Sequence, residues 1–477
     1  MDVSRYFRLG KTQAELDFVN VDPIRDTPVF VDPYALEIKE DQWSNRCADH
    51  IRSFFSAVIE AIRANNDARA VHLLSHLHEV QETYLGVSRG RPQGRGIGRG
   101  HADQLFEALK GSRAVQTGLL SDLAEAELFI ASIGRDKVSD LTTNIIRGPL
   151  AEYTAAQCEL HQIEVQQVAA AGPVWDPARE NWVQRHHQLP LVDKHPVILV
   201  PKYSVRRRLS LDSSQEFYNK QMIEFLAEEY LVAGSSLVHT LRSGAKRVYR
   251  KDVKVRHPFI KDDLADFVRH HPEVLEEYKR LAGAKGPLSS EEFDEDFDEA
   301  TLAAALDGAL AEIPAGSANA SKYHSLMVGI LSFLFFPGLI EPIKEREIHD
   351  GRKRIDIKYT NSGTGVFFQR ILAGAQTRAI SLSAECKNYT ADPANPELDQ
   401  LSGRFSHARG FVGFLCCRTP NNRPLLLERC RDTTRDGRGF IILLDDQEIT
   451  TLLGLIAAGR RDRIEPRLNL LLDNLTD

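Results

Sequence analysis

The chain has few cysteines for its length and lacks the segments that mark membrane and secreted proteins. Its 477 residues include six cysteines and no Cys-x-x-Cys pair, which argues against both a disulfide framework and a zinc site. Its most apolar stretch, 331–340, is interrupted by Pro337 and Gly338 and is too short to cross a bilayer. The first residues contain no apolar signal segment. We therefore expect a cytoplasmic protein with no membrane partner.

The chain also lacks the net positive charge that is usual in a protein that binds nucleic acid. Its formal net charge is −7. The charge is unevenly distributed, because residues 321–477 contain 22 Lys and Arg against 19 Asp and Glu, which leaves −10 for the first 320 residues. The basic side chains of this C-terminal part are mostly arginine, which suits bidentate contacts with phosphate. A nucleic-acid contact is therefore expected in the last third.

Length and composition predict a multidomain protein. Apolar residues recur every three or four positions in 42–64, which predicts an amphipathic helix. Residues 1–283 are interpreted as a mainly helical (α+β) recognition or regulatory domain. Residues 284–320, which include the acidic run EEFDEDFDE, are interpreted as an acidic linker and hinge. Residues 321–477 show alternating helix and strand patterns, which are typical of an α/β domain.

Two strand patterns in the last third carry acidic residues at defined positions. In 380–387 apolar residues alternate with Ser381, Ser383, Glu385 and Lys387, so the acid and the lysine share one face. Upstream, Asp356 stands between two isoleucines. Two carboxylates can hold a hard divalent cation such as magnesium, which neutralises charge that develops on a phosphodiester. A lysine beside the cation can orient or activate the attacking water.

This pattern, Asp356 followed by Glu385-Cys386-Lys387, resembles the PD-(D/E)XK restriction-endonuclease-like nucleases over the last third of the chain. A strongly apolar helix pattern in 323–336 precedes the first acid. A further helix pattern that begins at Asn395 places Gln400 and Arg404 one turn apart, similar to the Gln-containing helix of many members. Two buried-strand patterns, 410–417 and 439–444, complete the order that the resemblance implies for this fold. The resemblance implies an α/β domain with a mixed central sheet.

The resemblance implies a site and a reaction. Asp356, Glu385 and Cys386 are expected to be the ligands of Mg²⁺, with Mn²⁺ as the alternative ion, and no organic cofactor is expected. Lys387 completes the catalytic set with Asp356 and Glu385. The residues expected to bind the substrate are Arg354, Asn388, Gln400 and Arg404.

One departure from the family pattern is clear, because residues 322–336 contain no acidic residue where many members supply another ligand. A third ligand would have to come from Glu341, Glu345 or Glu347. The reaction expected is hydrolysis of DNA phosphodiester bonds, in a restriction-like or antiviral defence effector regulated by the N-terminal domain. Cutting of both strands would suggest a homodimer, because one active centre serves one strand at a time.

Three alternatives remain open. The nuclease fold could have lost its activity and act as a DNA-binding or assembly module. The acidic run could cover the basic nuclease groove and inhibit it. In a third interpretation the Gly- and Arg-rich segment 88–100 binds a nucleotide or a nucleic-acid backbone, since glycines allow close approach and its four arginines supply charge.

Overall fold

Helices dominate the first 288 residues. The computed structural model describes residues 1–77, 80–86, 99–117, 119–120, 122–130, 133–168, 172–211, 213–344 and 357–476. Within this range the α-helices up to residue 288 are Val3–Tyr6, Pro33–Glu37, Gln42–Arg63, Asp67–Leu74, Arg99–Gly111, Arg113–Thr117, Ala126–Phe129, Arg135–Ile145, Arg147–His161, Ser214–Phe217, Ile223–Val232, Arg250–Arg256, Lys261–His270 and Pro272–Gly283. In the part of the chain that the structure covers, no helix is both long enough and apolar enough to cross a membrane.

The β structure of this half is limited to short antiparallel pairs. The pairs are Phe30–Val31 with Val205–Arg206, Gln166–Val168 with His187–Leu189, Val174–Asp176 with Asn181–Val183, Leu191–Val192 with His195–Pro196, and Val238–Thr240 with Lys246–Val248. The predicted amphipathic helix is confirmed as Gln42–Arg63, with the Asp41 side chain accepting a hydrogen bond from the backbone N–H of Ser44. Its apolar face is buried in a hydrophobic core built from residues 3–288.

The last part of the chain contains a five-stranded mixed sheet flanked by helices. Its strands are β1 (Leu339–Lys344), β2 (Ile357–Asn361), β3 (Ser381–Lys387), β4 (Val412–Cys417) and β5 (Phe440–Asp445), which lie side by side in that order. The pairs β1–β2 and β2–β3 are antiparallel, and the pairs β3–β4 and β4–β5 are parallel. The helices are Ser290–Phe293, Glu299–Glu312, Ala320–Phe335, Val366–Ala373, Asn395–Ser402, Arg423–Arg435, Asp446–Ala457 and Ile464–Asp473. The coarse prediction of a helical first part and a mixed sheet in the last third is confirmed.

The two faces of β3 meet different neighbours. Ala384 pairs with Phe414 of β4, and the ring of Phe414 lies 5.4 Å from that of Phe335 in the helix Ala320–Phe335. Ser383 pairs with Gly413, which faces Leu401 of the helix Asn395–Ser402. Because side chains alternate along a strand, Glu385 and Lys387 share the face of Ser383.

A second hydrophobic core surrounds this sheet and begins before the predicted domain boundary. The helix Glu299–Glu312 lies within the predicted linker, yet its Ala303, Leu306 and Leu310 are buried in the core of the sheet domain. Two residues of the first part, Ala14 and Leu160, also belong to this second core. The segment 299–312 is therefore part of the sheet domain.

Buried polar groups join the two parts of the molecule. The Asp17 carboxylate accepts hydrogen bonds from the Tyr153 hydroxyl at 2.7 Å and from the backbone N–H of Glu341 at 3.1 Å. The Glu341 carboxylate accepts one from the Tyr203 hydroxyl at 2.5 Å. Burial, together with nearby Asp41 and Asp17, raises the pKa of Glu341 well above its ordinary value. Burial also lowers the pKa of Lys202 in this cluster to about 8.

Glu341→Gln is expected to stabilise the protein at pH 8 by on the order of 1 kcal/mol. Because folding raises the pKa of the Glu341 carboxyl group, the folded protein binds its proton more tightly than the unfolded chain does. The resulting stability is fully present below the unfolded pKa, near 4.5, and is lost as the pH rises through the folded pKa. Glutamine keeps an acceptor for Tyr203 and carries no charge, so its advantage should shrink towards pH 4.5. Urea unfolding of both proteins at pH 8 and pH 5 measures this difference, and an equal effect at both values would contradict it.

Candidate functional site

Glu385 and Lys387 lie at the end of β3, the central strand of the sheet. The Glu385 side chain is fully buried and that of Lys387 is 4% exposed, and the Lys387 ammonium group forms an ion pair with the Glu385 carboxylate. The Lys387 ammonium also lies 5.7 Å from the centre of the Tyr389 ring. The predicted shared face is therefore confirmed, and the two side chains are in direct contact.

Arg404 approaches the same carboxylate from the segment after β3, and Gln400 lies on the helix just before it. The Arg404 guanidinium lies 3.2 Å from Glu385 Oε2. The helix that carries Gln400 ends at Ser402, so Arg404 lies beyond it and not one helical turn from Gln400 as predicted. The Gln400 Nε2 atom is buried without a hydrogen-bond partner among the described residues. Glu385 is thus held between two cationic groups, with an amide donor on the neighbouring helix.

Two of the predicted site residues, Asp356 and Arg354, lie outside the described residues. The strand β2 begins at Ile357, the residue after Asp356. Ile357 pairs with Ala384, the residue before Glu385. The described end of β2 is therefore next to the end of β3 that carries Glu385.

The Cys386 side chain lies on the opposite face of β3 from Glu385 and Lys387. Its thiol is hydrogen-bonded to the thiol of Cys416 on β4, which together with burial raises the pKa of Cys386 well above its ordinary value. A thiol with a raised pKa is a weak metal ligand, because metals bind the thiolate. The expectation that Cys386 is a metal ligand is therefore not supported for its side chain.

Glu341 does not reach this site. Its carboxylate accepts hydrogen bonds from Tyr203 and from Thr360, and Thr360 pairs with Ser381, four residues before Glu385 on β3. Four residues of a strand span roughly 13 Å, so Glu341 cannot share a metal ion with Glu385. The other two candidates for the third ligand, Glu345 and Glu347, lie outside the described residues. Within the described ranges no three His, Cys, Asp or Glu side chains are grouped as a metal site.

Asn388 has a structural role instead of the predicted contact with substrate. Its side chain is 1% exposed, and its amide nitrogen donates to the carbonyl oxygens of Pro314 at 3.0 Å and Gly316 at 2.9 Å. The backbone N–H of Gly316 in turn donates to the Asn388 carbonyl at 2.8 Å. These bonds fix segment 314–316 to the end of β3, beside Lys387. A buried amide that already holds two carbonyls is not available to a substrate.

Asn388→Ala is expected to lower the free energy of unfolding by about 2 kcal/mol, because two part-buried hydrogen bonds to main-chain carbonyl groups would be lost. Urea denaturation measures the change. Gln376→Ala, at an exposed position in the same domain, is the matched control and should change stability by less than about 0.5 kcal/mol. Equal stability of the two variants would show that segment 314–316 does not depend on this amide.

A cavity of about 610 Å³ opens over the same face of β2 and β3. The sheet contributes Lys358 and Ser381 to its wall, and the first part of the chain contributes Lys39 and Glu40. Lys358 pairs with Ser383, so it shares the face that carries Glu385. A ligand could therefore enter between the two parts of the molecule along this face.

The acidic run does not form a cover over Glu385. Phe293 packs against the first core and Phe297 against the second. Glu299 forms an ion pair with Arg461 at 2.5 Å, and the backbone carbonyl of Glu292 accepts a hydrogen bond from Arg207 at 2.9 Å. The run therefore connects the two cores, which does not support the inhibitory role.

A basic stretch in the first part of the chain lies outside the predicted sites. Residues 238–256 contain seven Lys and Arg against a single Asp, in a half whose net charge is negative. A count of charge over short windows would have found it. The Gly- and Arg-rich segment that was singled out instead lies, for residues 88–98, outside the described residues.

Comparison with known proteins bears on the first part of the chain. A profile for a domain of unknown function, DUF8370, matches residues 8–212. No curated protein and no solved structure matches the chain. The chain is thus similar to the DUF8370 domain over those residues, which lie in the part that builds the first core and precede the mixed sheet.

Proposed function

We propose that the protein is a metal-dependent endonuclease that hydrolyses DNA phosphodiester bonds at the end of β3. The observation that carries the proposal is the contact between Glu385 and Lys387 on the central strand, next to the end of the strand that follows Asp356. Along the chain the helix Ala320–Phe335 precedes β1 and β2, the helix Val366–Ala373 separates β2 from β3, and the helices Asn395–Ser402 and Arg423–Arg435 precede β4 and β5. The order of helix, β2, β3, helix and β4 agrees with the order that the PD-(D/E)XK resemblance implies, to which β1 and the helix Val366–Ala373 are additions.

In this proposal the carboxylates of Asp356 and Glu385 would hold a divalent ion, which would neutralise charge on the phosphate. Lys387 orients the attacking water, and Arg404 and Gln400 contact the phosphate from the neighbouring segment. Glu385 must then exchange its ion pair with Lys387 and Arg404 for a metal contact. The protein is a restriction-like or antiviral effector in this interpretation, and the N-terminal part regulates it.

The burial of the ion pair favours a second candidate function. Glu385 is fully buried and neutralised by Lys387 and Arg404, and a structural ion pair would have the same arrangement. In that case the domain is an inactive nuclease fold that binds DNA or assembles with other proteins.

Incubation of the full-length protein with supercoiled plasmid separates the two functions. We expect nicked or linear DNA in the presence of Mg²⁺ or Mn²⁺, and unchanged plasmid with excess chelator. A labelled RNA in a parallel reaction tests the choice of substrate. Retarded but uncut plasmid in every metal would replace the nuclease proposal with the binding module.

A further inference from the structure

A strongly basic surface lies in the first part of the chain, far in sequence from the residues proposed to cut DNA. It consists of the hairpin Val238–Thr240 with Lys246–Val248 and the following helix Arg250–Arg256. We call residues 238–256 the basic hairpin. Its net charge is +6, although the first 320 residues as a whole carry −10. Such a concentration of charge creates a local positive potential that the overall charge conceals.

The cationic side chains of the basic hairpin point into solvent and have few acidic partners. Lys246, Arg247, Lys251 and Lys254 are exposed, and none of them forms an ion pair with any residue in the described ranges. Two contacts with acidic residues lie nearby, an ion pair of Arg250 with Glu224 at 2.6 Å and a hydrogen bond between His239 and Asp252 at 3.0 Å. Buried Val248 and Val253 anchor the hairpin and the helix beneath this surface.

An aromatic ring organises part of the surface. The Arg247 guanidinium lies 5.5 Å and the Lys251 ammonium 5.6 Å from the centre of the Tyr249 ring, so both are within cation–π range. A groove of about 570 Å³ runs between these residues and the helix Ile223–Val232. Arg250 and Lys251 line this groove together with Glu224. The cations are thus arranged on a folded support and not on a flexible tail.

We propose that the basic hairpin binds the phosphate backbone of double-stranded DNA and holds the substrate for the proposed nuclease site. Charge complementarity supports this partner. Exposed Lys and Arg without acidic partners can contact phosphates, and each contact releases counterions from the DNA. Contacts of this kind position a duplex and carry no base preference. The role in holding the substrate rests on the proposed nuclease function. The binding of DNA does not, and it is measured under conditions in which no DNA is cut.

The experiment measures fluorescence anisotropy of a labelled 30-base-pair duplex with the full-length protein in chelator, so that no cutting occurs. The test variant combines Lys246→Ala, Arg247→Ala, Lys251→Ala and Lys254→Ala. We expect at least tenfold weaker binding near 100 mM salt, and a decrease of about 3 to 4 in the slope of log affinity against log salt concentration. Equal melting temperatures of the variant and the wild type show that the fold is retained.

The matched control removes four other exposed cations that form no ion pair with a described residue, through Arg208→Ala, Lys285→Ala, Lys322→Ala and Arg460→Ala. It should bind within about threefold of the wild type. Equal weakening in both variants would overturn the proposal, as would binding to phosphatidylserine vesicles in place of the duplex. Because binding is measured in chelator, where no cutting occurs, loss of DNA binding and loss of cleavage give separate readouts. A wild type that binds and never cuts would remove the nuclease and leave the basic hairpin in place.

Discussion

Replacement of Lys387 by alanine is expected to lower metal-dependent plasmid cleavage at least about a hundredfold. The expectation follows from the place of Lys387 beside Glu385 on β3, where its ammonium group would orient the water that attacks the phosphate. Glu385→Gln should have an effect of the same size or larger, because it would remove a proposed metal ligand and keep the shape of the side chain. Initial rates of plasmid nicking in Mg²⁺ provide the measurement.

The controls must separate a catalytic role from a structural one, since removal of one partner of a buried ion pair also destabilises a protein. Lys322→Ala and Glu312→Gln change the same residue types at exposed positions of the sheet domain and should leave the rate unchanged. Lys387→Met removes the ammonium charge, keeps most of the buried aliphatic stem and leaves Glu385 paired with Arg404, so it should lose less stability than Lys387→Ala. If Lys387→Met cleaves plasmid at the wild-type rate, the ion pair is structural and the assignment of the active site is wrong.

Gly410→Ala is expected to destabilise the protein by about 3 kcal/mol or more and to reduce cleavage along with it. Gly410 has φ +107°, and a methyl group there would overlap the main chain of Ala379 and lie 2.6 Å from the Arg378 carbonyl oxygen. Both the left-handed conformation and the overlap with backbone atoms contribute to this cost. The turn matters for the site, because the neighbouring Arg409 carbonyl accepts the N–H of Ser381, the first residue of β3.

Two other glycines provide matched controls for this variant. Gly437 has φ +68° with open space around it, so Gly437→Ala should cost about 1 kcal/mol from backbone conformation alone. Gly454 lies in the helix Asp446–Ala457 with no neighbouring atom in the way, and Gly454→Ala should stabilise the protein by about 0.5 to 1 kcal/mol. Urea unfolding measures the free energies of unfolding of the three variants, which we expect to be lowest for Gly410→Ala and highest for Gly454→Ala. A Gly410 variant as stable as the Gly437 variant would show that the loop rearranges without cost.

Local periodicity predicted the elements whose burial pattern is strong. The helix Gln42–Arg63 and the strand Ser381–Lys387 were predictable because one face of each is continuously apolar. The shared face of Glu385 and Lys387 followed from the same alternation. Their direct contact, and the approach of Arg404, depend on how the segment after β3 folds back, which no local pattern encodes.

Contacts between distant parts of the chain account for the predictions that failed. Asn388 follows the motif directly, yet its partners Pro314 and Gly316 are more than 70 residues away. The small-residue segment that reads as a flexible hinge is held by those bonds. The Ala- and Leu-rich helix Glu299–Glu312 follows an acidic run, and its packing against the helices Asp446–Ala457 and Ala320–Phe335 makes it part of the core. Tertiary packing overrides local composition in both cases.

The buried hydrogen bonds that link Asp17, Glu341 and Tyr203 affect how this protein can be divided into fragments. A fragment that started at Glu299 would have to place the carboxylate of Glu341 in water and would lose Ala14 and Leu160 from its interior. A fragment that stopped at Leu288 would expose Asp17 and Tyr203 in the same way. Truncated versions should therefore express poorly or aggregate, and the roles of the two parts are better assigned by single substitutions in the intact chain.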